Sequence, residues 1–224
     1  AQHNIKMIED CAHTMGARWN GKASGTFGLA GCFSTQTYKH MNSGEGGLLT
    51  SSDAEFMARA TIMSGSYMLF PRHGAGPDMA AFDAARYEMP NCSARMDHLR
   101  AVLLLDQIDS LPDRIERWNA RYNALADALG GVNGITMPYR PQQEEFVGSS
   151  IQFLVPKSWA APRCEAFVAA AAARGVEIKW FGAADPRGFT SRYDSWRYAA
   201  PSPLPKTDAV LARLFDMRVP LTFS

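Results

Sequence analysis

The stretch Ile8-Glu9-Asp10-Cys11-Ala12-His13 decides the fold that this chain is expected to adopt. The short apolar run 5–8 leads into two acids, which predicts a strand that reaches the surface at the Asp10 carboxylate. A second apolar run, 30–34, predicts another strand, and Lys39 follows it after five residues. Strand ends of this kind often carry the reactive side chains of α/β proteins.

Asp10, Ser34 and Lys39 together indicate a pyridoxal phosphate site. A lysine such as Lys39 must lose its proton near neutral pH to form a Schiff base, and desolvation or a nearby cationic centre favours that loss. A carboxylate such as Asp10 keeps the pyridine nitrogen of the cofactor protonated by charge pairing. Ser34 offers a hydroxyl to the cofactor phosphate, and His13 is expected at the ring face or its phenolic oxygen. The glycine-rich turn 44–47 lets the backbone approach the ring closely.

The order and spacing of these residues closely resemble the DegT/DnrJ/EryC1/StrS family of pyridoxal phosphate aminotransferases. The resemblance is carried by the segments 8–13, 25–28, 32–34, 39 and 44–47, and continues through 95–97 and 218–221. It implies that Asn91 and Arg95 reach across a dimer interface toward the partner's cofactor phosphate. Ser93 stands where the family has an Asn before this Arg, and Asn91 lies two residues earlier.

The resemblance implies an α/β fold of the aspartate-aminotransferase-like kind, PLP fold type I. Residues 1–111 are expected to form the C-terminal portion of the three-layer large domain that binds the cofactor. Residues 112–224 are expected to form a smaller C-terminal α/β domain with its linking helix. Only nine residues precede Asp10, so the chain is expected to lack the family's N-terminal part, and the last C-terminal helix after Leu221.

The activity that the resemblance implies is a two-stage transamination. An amino donor, commonly glutamate, passes its amino group to the cofactor, which then aminates a nucleotide-linked keto sugar for a polysaccharide or a natural product. Lys39 moves the proton between substrate and cofactor carbons, and a homodimer is expected. Dehydratase relatives have histidine at this position, so Lys39 favours amino transfer. The alternatives are a PLP-dependent lyase or desulfurase with Cys92 as a reactive thiol, and a non-catalytic relative or fragment.

The composition excludes several other classes of protein. With 23 Lys and Arg against 22 Asp and Glu, the formal net charge is +1, too small for non-specific binding of nucleic acid. No apolar run approaches the ~20 residues that cross a bilayer, and the N-terminal residues do not resemble a secretion signal. The protein is therefore expected in the cytoplasm. The cysteines form no metal-binding or disulfide pattern, so no metal is expected and the thiols are expected to be reduced.

The remaining pattern predicts further elements along the chain. The capping box Ser52-Asp53-Ala54-Glu55 predicts a helix over 53–63, and the proline- and glycine-containing stretch 64–91 is expected to be irregular. Apolar residues at three- and four-residue steps predict a helix over 99–129 that Pro112 kinks or splits. Strands are expected at 134–137, 150–156 and 176–180, and helices at 162–174 and 207–215. Side chains that could line a substrate entrance are Tyr67, Trp180, Arg192, Tyr193 and Trp196, although packing is the commoner role for each.

Overall fold

The structure, a computed structural model, describes residues 3, 5–65, 68–72, 74–185, 192–198 and 200–222. The chain divides into two compact units, Ala1–Asp113 with Gln142–Val147, and Arg114–Pro141 with Gly148–Ser224. The predicted domain boundary after residue 111 lies two residues before this division. The segment Gln142–Val147 belongs to the first unit, whereas it was expected in the second domain. The assignment of the two units to the family's large and small domains stays a prediction.

The described residues form short strands and α-helices. The strands are β1 (Ile8–Asp10), β2 (Arg18–Trp19), β3 (Lys22–Ala23), β4 (Ala30–Ser34), β5 (Gly47–Thr50), β6 (Glu144–Glu145), β7 (Ser150–Leu154), β8 (Ile178–Trp180) and β9 (Leu214–Arg218). The α-helices are α1 (Ala54–Ser64), α2 (Met79–Ala85), α3 (His98–Gly130), α4 (Ala161–Ala172) and α5 (Pro205–Leu211). No helix among the described residues is both long enough and apolar enough to cross a membrane.

The main sheet of the first unit has the strand order β1-β4-β5. Strand β1 pairs in parallel with β4, so that Asp10 lies beside Cys32, and β5 pairs antiparallel with β4. The backbone N–H of Cys11 extends this pairing by donating to the carbonyl of Cys32 at 2.8 Å. Because β1 and β4 are parallel, their carboxyl ends meet at one edge of the sheet. The strands β3, β2 and β6 form a second small sheet.

Glu9 fastens the connection between β1 and β4. Its carboxylate accepts hydrogen bonds from the backbone N–H groups of Gly25 at 2.8 Å, Phe27 at 2.6 Å and Gly28 at 2.8 Å. Partial burial raises the pKa of Glu9, but the three N–H donors outweigh burial and hold the pKa below its usual value. A Cβ on Gly31 would overlap the backbone of Gly25, so the connection lies directly on β4.

The helices α1 and α2 form a separate core in the first unit. Asp53, not Ser52 as the capping box predicts, is the N-cap of α1, because its side chain accepts from the N–H of Phe56 at 2.9 Å. The prediction of an irregular 64–91 segment is wrong in part, since it contains α2 and a short 3₁₀ helix. The rings of Phe70 and Phe82 stack at 4.4 Å, and this burial stabilises elements that the prolines obscure in the sequence.

Helix α3 continues through Pro112, so the predicted split is wrong. A proline inside a helix costs about 3 kcal/mol because it removes a backbone donor and crowds the preceding turn. Packing on either side of the proline offsets that cost. In the first unit Leu104 is buried against Met15 and Met41, and in the second unit Trp118 is buried.

The second unit is an antiparallel sheet of order β7-β9-β8 with α4 on one face. Phe215 of β9 packs edge-on against Phe167 of α4, with the ring centroids 5.4 Å apart. The predicted helix over 207–215 is therefore wrong at its end, because α5 stops at Leu211 and Phe215 belongs to the strand. The strand predicted over 134–137 is reduced to a bridge between Thr136 and Leu154.

A carboxylate is buried on the opposite face of this sheet. Asp216 follows Phe215 in β9, so its side chain lies on the face away from the aromatic rings, and only 3% of the residue is exposed. Gln152 of β7 donates a hydrogen bond to its carboxylate. Burial raises the pKa of Asp216, and the hydrogen bond from Gln152 and the charge of Arg218 oppose the shift without cancelling it.

Glu9→Gln is expected to lower the free energy of unfolding by about 2 kcal/mol, because the amide keeps one acceptor oxygen and loses its charge. Since the pKa of Glu9 is lowered on folding, its stabilisation is complete above the usual glutamate pKa and is lost as the pH falls through the lowered value. Urea unfolding across acidic pH measures this. Glu55→Gln, on the exposed face of α1, is the control and should change stability by less than about 0.5 kcal/mol.

Asp216→Asn is expected to flatten the pH dependence of unfolding. Because the pKa of Asp216 is raised on folding, the aspartate favours the folded state most at low pH, and this contribution is lost as the pH rises through the raised value. The asparagine keeps an oxygen that accepts the hydrogen bond from Gln152. Because it does not titrate, it loses no stabilisation as the pH rises. Urea unfolding between about pH 4 and about pH 7 tests this. The exposed Asp127→Asn should retain the wild-type profile, and an unchanged profile in Asp216→Asn contradicts the assignment.

Candidate active site

The carboxyl edge of the β1-β4-β5 sheet carries Asp10 and Ser34 on the same face. Asp10 is the last residue of β1 and is paired with Cys32 of β4. Directly paired residues share a face, and Ser34 lies two residues beyond Cys32, so it returns to that face. Asp10 is exposed and Ser34 is half-buried. The sequence-predicted carboxylate and hydroxyl therefore end neighbouring parallel strands.

Lys39 and His13 are in direct contact beside this edge. The Nζ atom of Lys39 lies 2.7 Å from Nε2 of His13, although the two residues are 26 positions apart in the sequence. His13 follows Asp10 by three residues, and a carboxylate oxygen of Asp10 accepts from the N–H of Ala12 at 3.0 Å in the turn between them. The turn brings the imidazole next to the strand end, and Lys39 reaches it from the loop after β4.

The loop that carries Lys39 is braced by buried hydroxyls. The chain between β4 and β5 folds back on itself: the N–H of Thr35 donates to Gly46 at 2.9 Å, and the N–H of Ser43 donates to Thr35 at 2.8 Å. The hydroxyls of Thr35 and Ser43 are 3.0 Å apart, and both residues are buried. Further along, the N–H of Thr37 donates to Gly44 at 3.0 Å. Lys39 therefore stands on an ordered loop.

Ser34 keeps a donor for a ligand. Its hydroxyl oxygen accepts from the N–H of Gln36 at 3.3 Å. A hydroxyl that accepts through its oxygen retains its own O–H group. That geometry is compatible with the predicted contact to a phosphate.

Arg95 binds the C-terminal end of α1, and Asn91 binds the nearby residue Ser93. Arg95 donates through Nη1 to the carbonyl of Gly65 at 2.8 Å, and Asn91 accepts from the N–H of Ser93 at 2.8 Å. Gly65 caps α1 in the left-handed conformation, with φ 109°. These contacts shape the segment that leads into α3. The predicted reach of Asn91 and Arg95 to a phosphate across a subunit interface stays a prediction.

The candidate substrate-entrance residues have structural partners in the second unit. Trp180 is 7% exposed and donates from its indole to the carbonyl of Ala212 at 3.0 Å, so it is a core residue. Arg192 and Tyr193 both bind Asp208, at 3.2 Å and 3.1 Å. The ring of Trp196 lies 5.7 Å from that of Tyr198. Tyr67 lies outside the described residues.

The side chains at the sheet edge fit the chemical groups of pyridoxal phosphate. An amine, an imidazole, a carboxylate and a hydroxyl come from Lys39, His13, Asp10 and Ser34, and a half-buried lysine beside a histidine suits imine chemistry. Among the described residues, no group of three or more His, Cys, Asp or Glu side chains is arranged to hold a metal ion. The bracing residues Glu9, Thr35 and Ser43 were not predicted, and only the position of Glu9 beside Asp10 could have indicated one of them.

The fold and this edge define an α/β protein of PLP fold type I, built around a lysine-bearing loop. The chain belongs to the DegT/DnrJ/EryC1/StrS aminotransferase family, whose sequence model matches residues 1–222. The predicted family and fold class are thereby confirmed. Pyridoxal phosphate is the cofactor of this family, as expected from the resemblance.

Individual relatives give the extent of the similarity. The L-glutamine:2-deoxy-scyllo-inosose aminotransferase of Micromonospora echinospora is 34% identical over 132 residues, which are 58% of this chain and 31% of that protein. The aminotransferase TlmJ of Streptoalloteichus hindustanus has a TM-score of 0.77 at 19% identity, with 100% of this chain and 55% of that chain covered. The E coli GDP-4-keto-6-deoxy-D-mannose-3-dehydratase with bound hydrated PLP has a TM-score of 0.74 at 17% identity, with 96% and 56% covered.

The matched part is only a portion of these proteins. The sequence match spans about a third of the curated relative, and the chain spans just over half of each solved structure. At these low identities the solved structures support the fold alone. The activity, the substrates and the partners of the whole protein are therefore matters of proposal.

Gly46→Ala is expected to destabilise the lysine loop by about 1–3 kcal/mol. Gly46 has φ 137°, and an added Cβ would lie 2.8 Å from Oγ1 of Thr35 and 2.9 Å from Cε of Met96. Gly44 has φ 86° and open space around it, so Gly44→Ala carries the conformational cost without the steric one. In thermal unfolding, the melting temperature of Gly46→Ala should lie below that of Gly44→Ala. Equal melting temperatures contradict the packing argument.

Proposed function

We propose that this chain carries the lysine-bearing part of a pyridoxal phosphate-dependent aminotransferase that aminates a polyhydroxylated ketone. The observation that carries the proposal is the 2.7 Å contact between Nζ of Lys39 and Nε2 of His13 at the sheet edge that ends in Asp10. Family membership supplies the reaction class, and the contact supplies a lysine held beside a second group that can share its proton.

The residues of the site have separable tasks in this proposal. Pyridoxal phosphate, when bound, supplies an aldehyde carbon for amines and a ring that accepts electrons from the substrate. Lys39 would hold the cofactor through Nζ. Once the substrate has displaced it, Nζ would carry a proton between the substrate carbon and the cofactor carbon. His13 shares the proton on Nζ. Asp10 presents its carboxylate to the ring nitrogen, and Ser34 donates its hydroxyl to the phosphate.

The acceptor that we propose first is a keto cyclitol of the inosose kind, with L-glutamine as amino donor. Several relatives between 28% and 35% identical are named for that donor and for inosose acceptors. A nucleotide-linked keto sugar with glutamate, as predicted from the sequence, is the second candidate. Its support is the family resemblance alone, because the solved neighbour named for a GDP-linked keto sugar is 17% identical and supports only the fold.

The desulfurase alternative depends on Cys92. Its thiol is exposed, and its backbone N–H donates to the carbonyl of Met63 at 2.7 Å. This places Cys92 at the end of α1, in the segment that Asn91 and Arg95 shape. Alkylation of the thiols separates the two reactions, because an aminotransferase keeps its turnover and a desulfurase loses it.

The decisive test combines binding of the cofactor with catalysis. The purified chain should develop the near-visible absorption of a lysine Schiff base on addition of pyridoxal phosphate, and Lys39→Ala should lose it. Lys157→Ala, at an exposed lysine of the second unit, is the control and should retain it. Asp10→Asn should keep the band and lower amino transfer by about 10²-fold or more.

Two outcomes contradict the proposal. A band that persists in Lys39→Ala removes this lysine from its role, and the absence of a band in the unmodified chain removes the site from this chain. The acceptor is decided by assaying 2-deoxy-scyllo-inosose with L-glutamine against a GDP-linked keto sugar with glutamate. Faster turnover of the second pair overturns the preference for a cyclitol.

A further inference from the structure

We infer that Gln107 is a positioning residue that fixes the loop carrying Lys39. The inference rests on the proposed function only in taking Lys39 as the reactive amine. Gln107 lies in α3, and its carboxamide binds the backbone of Asn42, which follows Lys39 by three residues. In this inference the glutamine acts on Lys39 through the backbone of the loop.

Gln107 binds both backbone polar groups of Asn42, the N–H and the carbonyl. The N–H of Asn42 donates to Oε1 of Gln107 at 2.9 Å, and Nε2 of Gln107 donates to the carbonyl of Asn42 at 2.7 Å. Nε2 also donates to the carbonyl of Leu103, one helical turn earlier, at 2.7 Å. The carboxamide therefore pairs with the loop as a neighbouring strand would, and α3 holds the carboxamide in place.

Two hydrogen bonds in opposite directions restrict the loop more than one does. A single contact lets the backbone pivot, whereas a donor and an acceptor on one residue fix both its distance and its orientation. Met41, next to Asn42, is 2% exposed and packs against Met15 and Leu104. Only two residues separate this fixed point from Lys39, so a displacement of Asn42 is transmitted to the 2.7 Å contact with His13.

The chemistry of the contact calls for a carboxamide. A carboxylate at position 107 would accept from the N–H of Asn42 but would repel its carbonyl oxygen. A leucine of similar size would leave both backbone groups of Asn42 without these partners. We call the two hydrogen bonds between Gln107 and Asn42 the clamp. Gln107→Leu removes both of these bonds, and Gln107→Glu removes one of them while keeping the shape of the side chain.

The test reads the surroundings of His13, because these move only if the lysine loop moves. The pH titration of the His13 imidazole is followed by NMR in the full chain, with Lys39→Met defining the profile of an imidazole without its lysine. Gln107→Leu is expected to shift the His13 midpoint in the same direction as Lys39→Met, and Gln107→Glu to give a smaller shift. The double variant Gln107→Leu with Lys39→Met is expected to match Lys39→Met alone.

Controls separate positioning from a general loss of stability. Asp106→Asn, at the exposed neighbouring position of α3, should leave the His13 titration unchanged. Schiff base formation with pyridoxal phosphate should slow by about 10²-fold in Gln107→Leu, as for a misplaced reactive group.

A wild-type His13 titration in both Gln107 variants overturns the inference, even if their melting temperatures fall. Should Gln107→Leu not fold, Gln107→Glu alone decides the question by the same criterion. A failure of the proposed function is distinguishable, because it removes the Schiff base band from the unmodified chain and leaves the His13 titration to test the clamp.

Discussion

The parallel pairing of β1 with β4 is the constraint on which the site depends. Parallel strands end at the same edge, so the pairing of Asp10 with Cys32 sets Asp10 and Ser34 on one face and starts both following loops there. A slip of one residue would turn Asp10 to the opposite face, because side chains alternate along a strand. Glu9 opposes such a slip from that opposite face, where it holds the three N–H groups of the connecting segment.

The loops of the site are ordered by side chains that bind backbone groups. Backbone N–H and carbonyl groups outside helices and sheets still need partners, and Glu9, Ser43 and Gln107 supply them to segments around the edge. None of these side chains has chemistry to contribute to amino transfer. Their effect is to give the partly exposed reactive groups a defined position without burying them fully, which leaves the face of the sheet accessible to a ligand.

The sequence located the lysine loop and the strand ends, since these depend on short local patterns around Asp10 and Lys39. It failed where long-range packing overrode a local signal. Pro112 does not break α3, because buried side chains on both sides outweigh one missing hydrogen bond. Phe215 reads as the end of a helix, yet its ring is placed by Phe153 and Phe167, which lie more than forty residues earlier. Local periodicity cannot report such partners.

Gln107 shows how far a sequence pattern extends toward function. It lies three residues after Leu104 and four before Leu111, so it sits on the helical stripe that packs into the core of the first unit. A polar side chain on such a stripe must find a hydrogen-bond partner. Burying an amide without a partner costs more free energy of folding than a made hydrogen bond contributes. The pattern thus predicts a contact, but not that Asn42, 65 residues earlier, provides it. Asn42 is identified as the partner only by the packing of α3 beside the lysine loop. Through this contact, a residue that looks purely structural controls the position of the Lys39 amine.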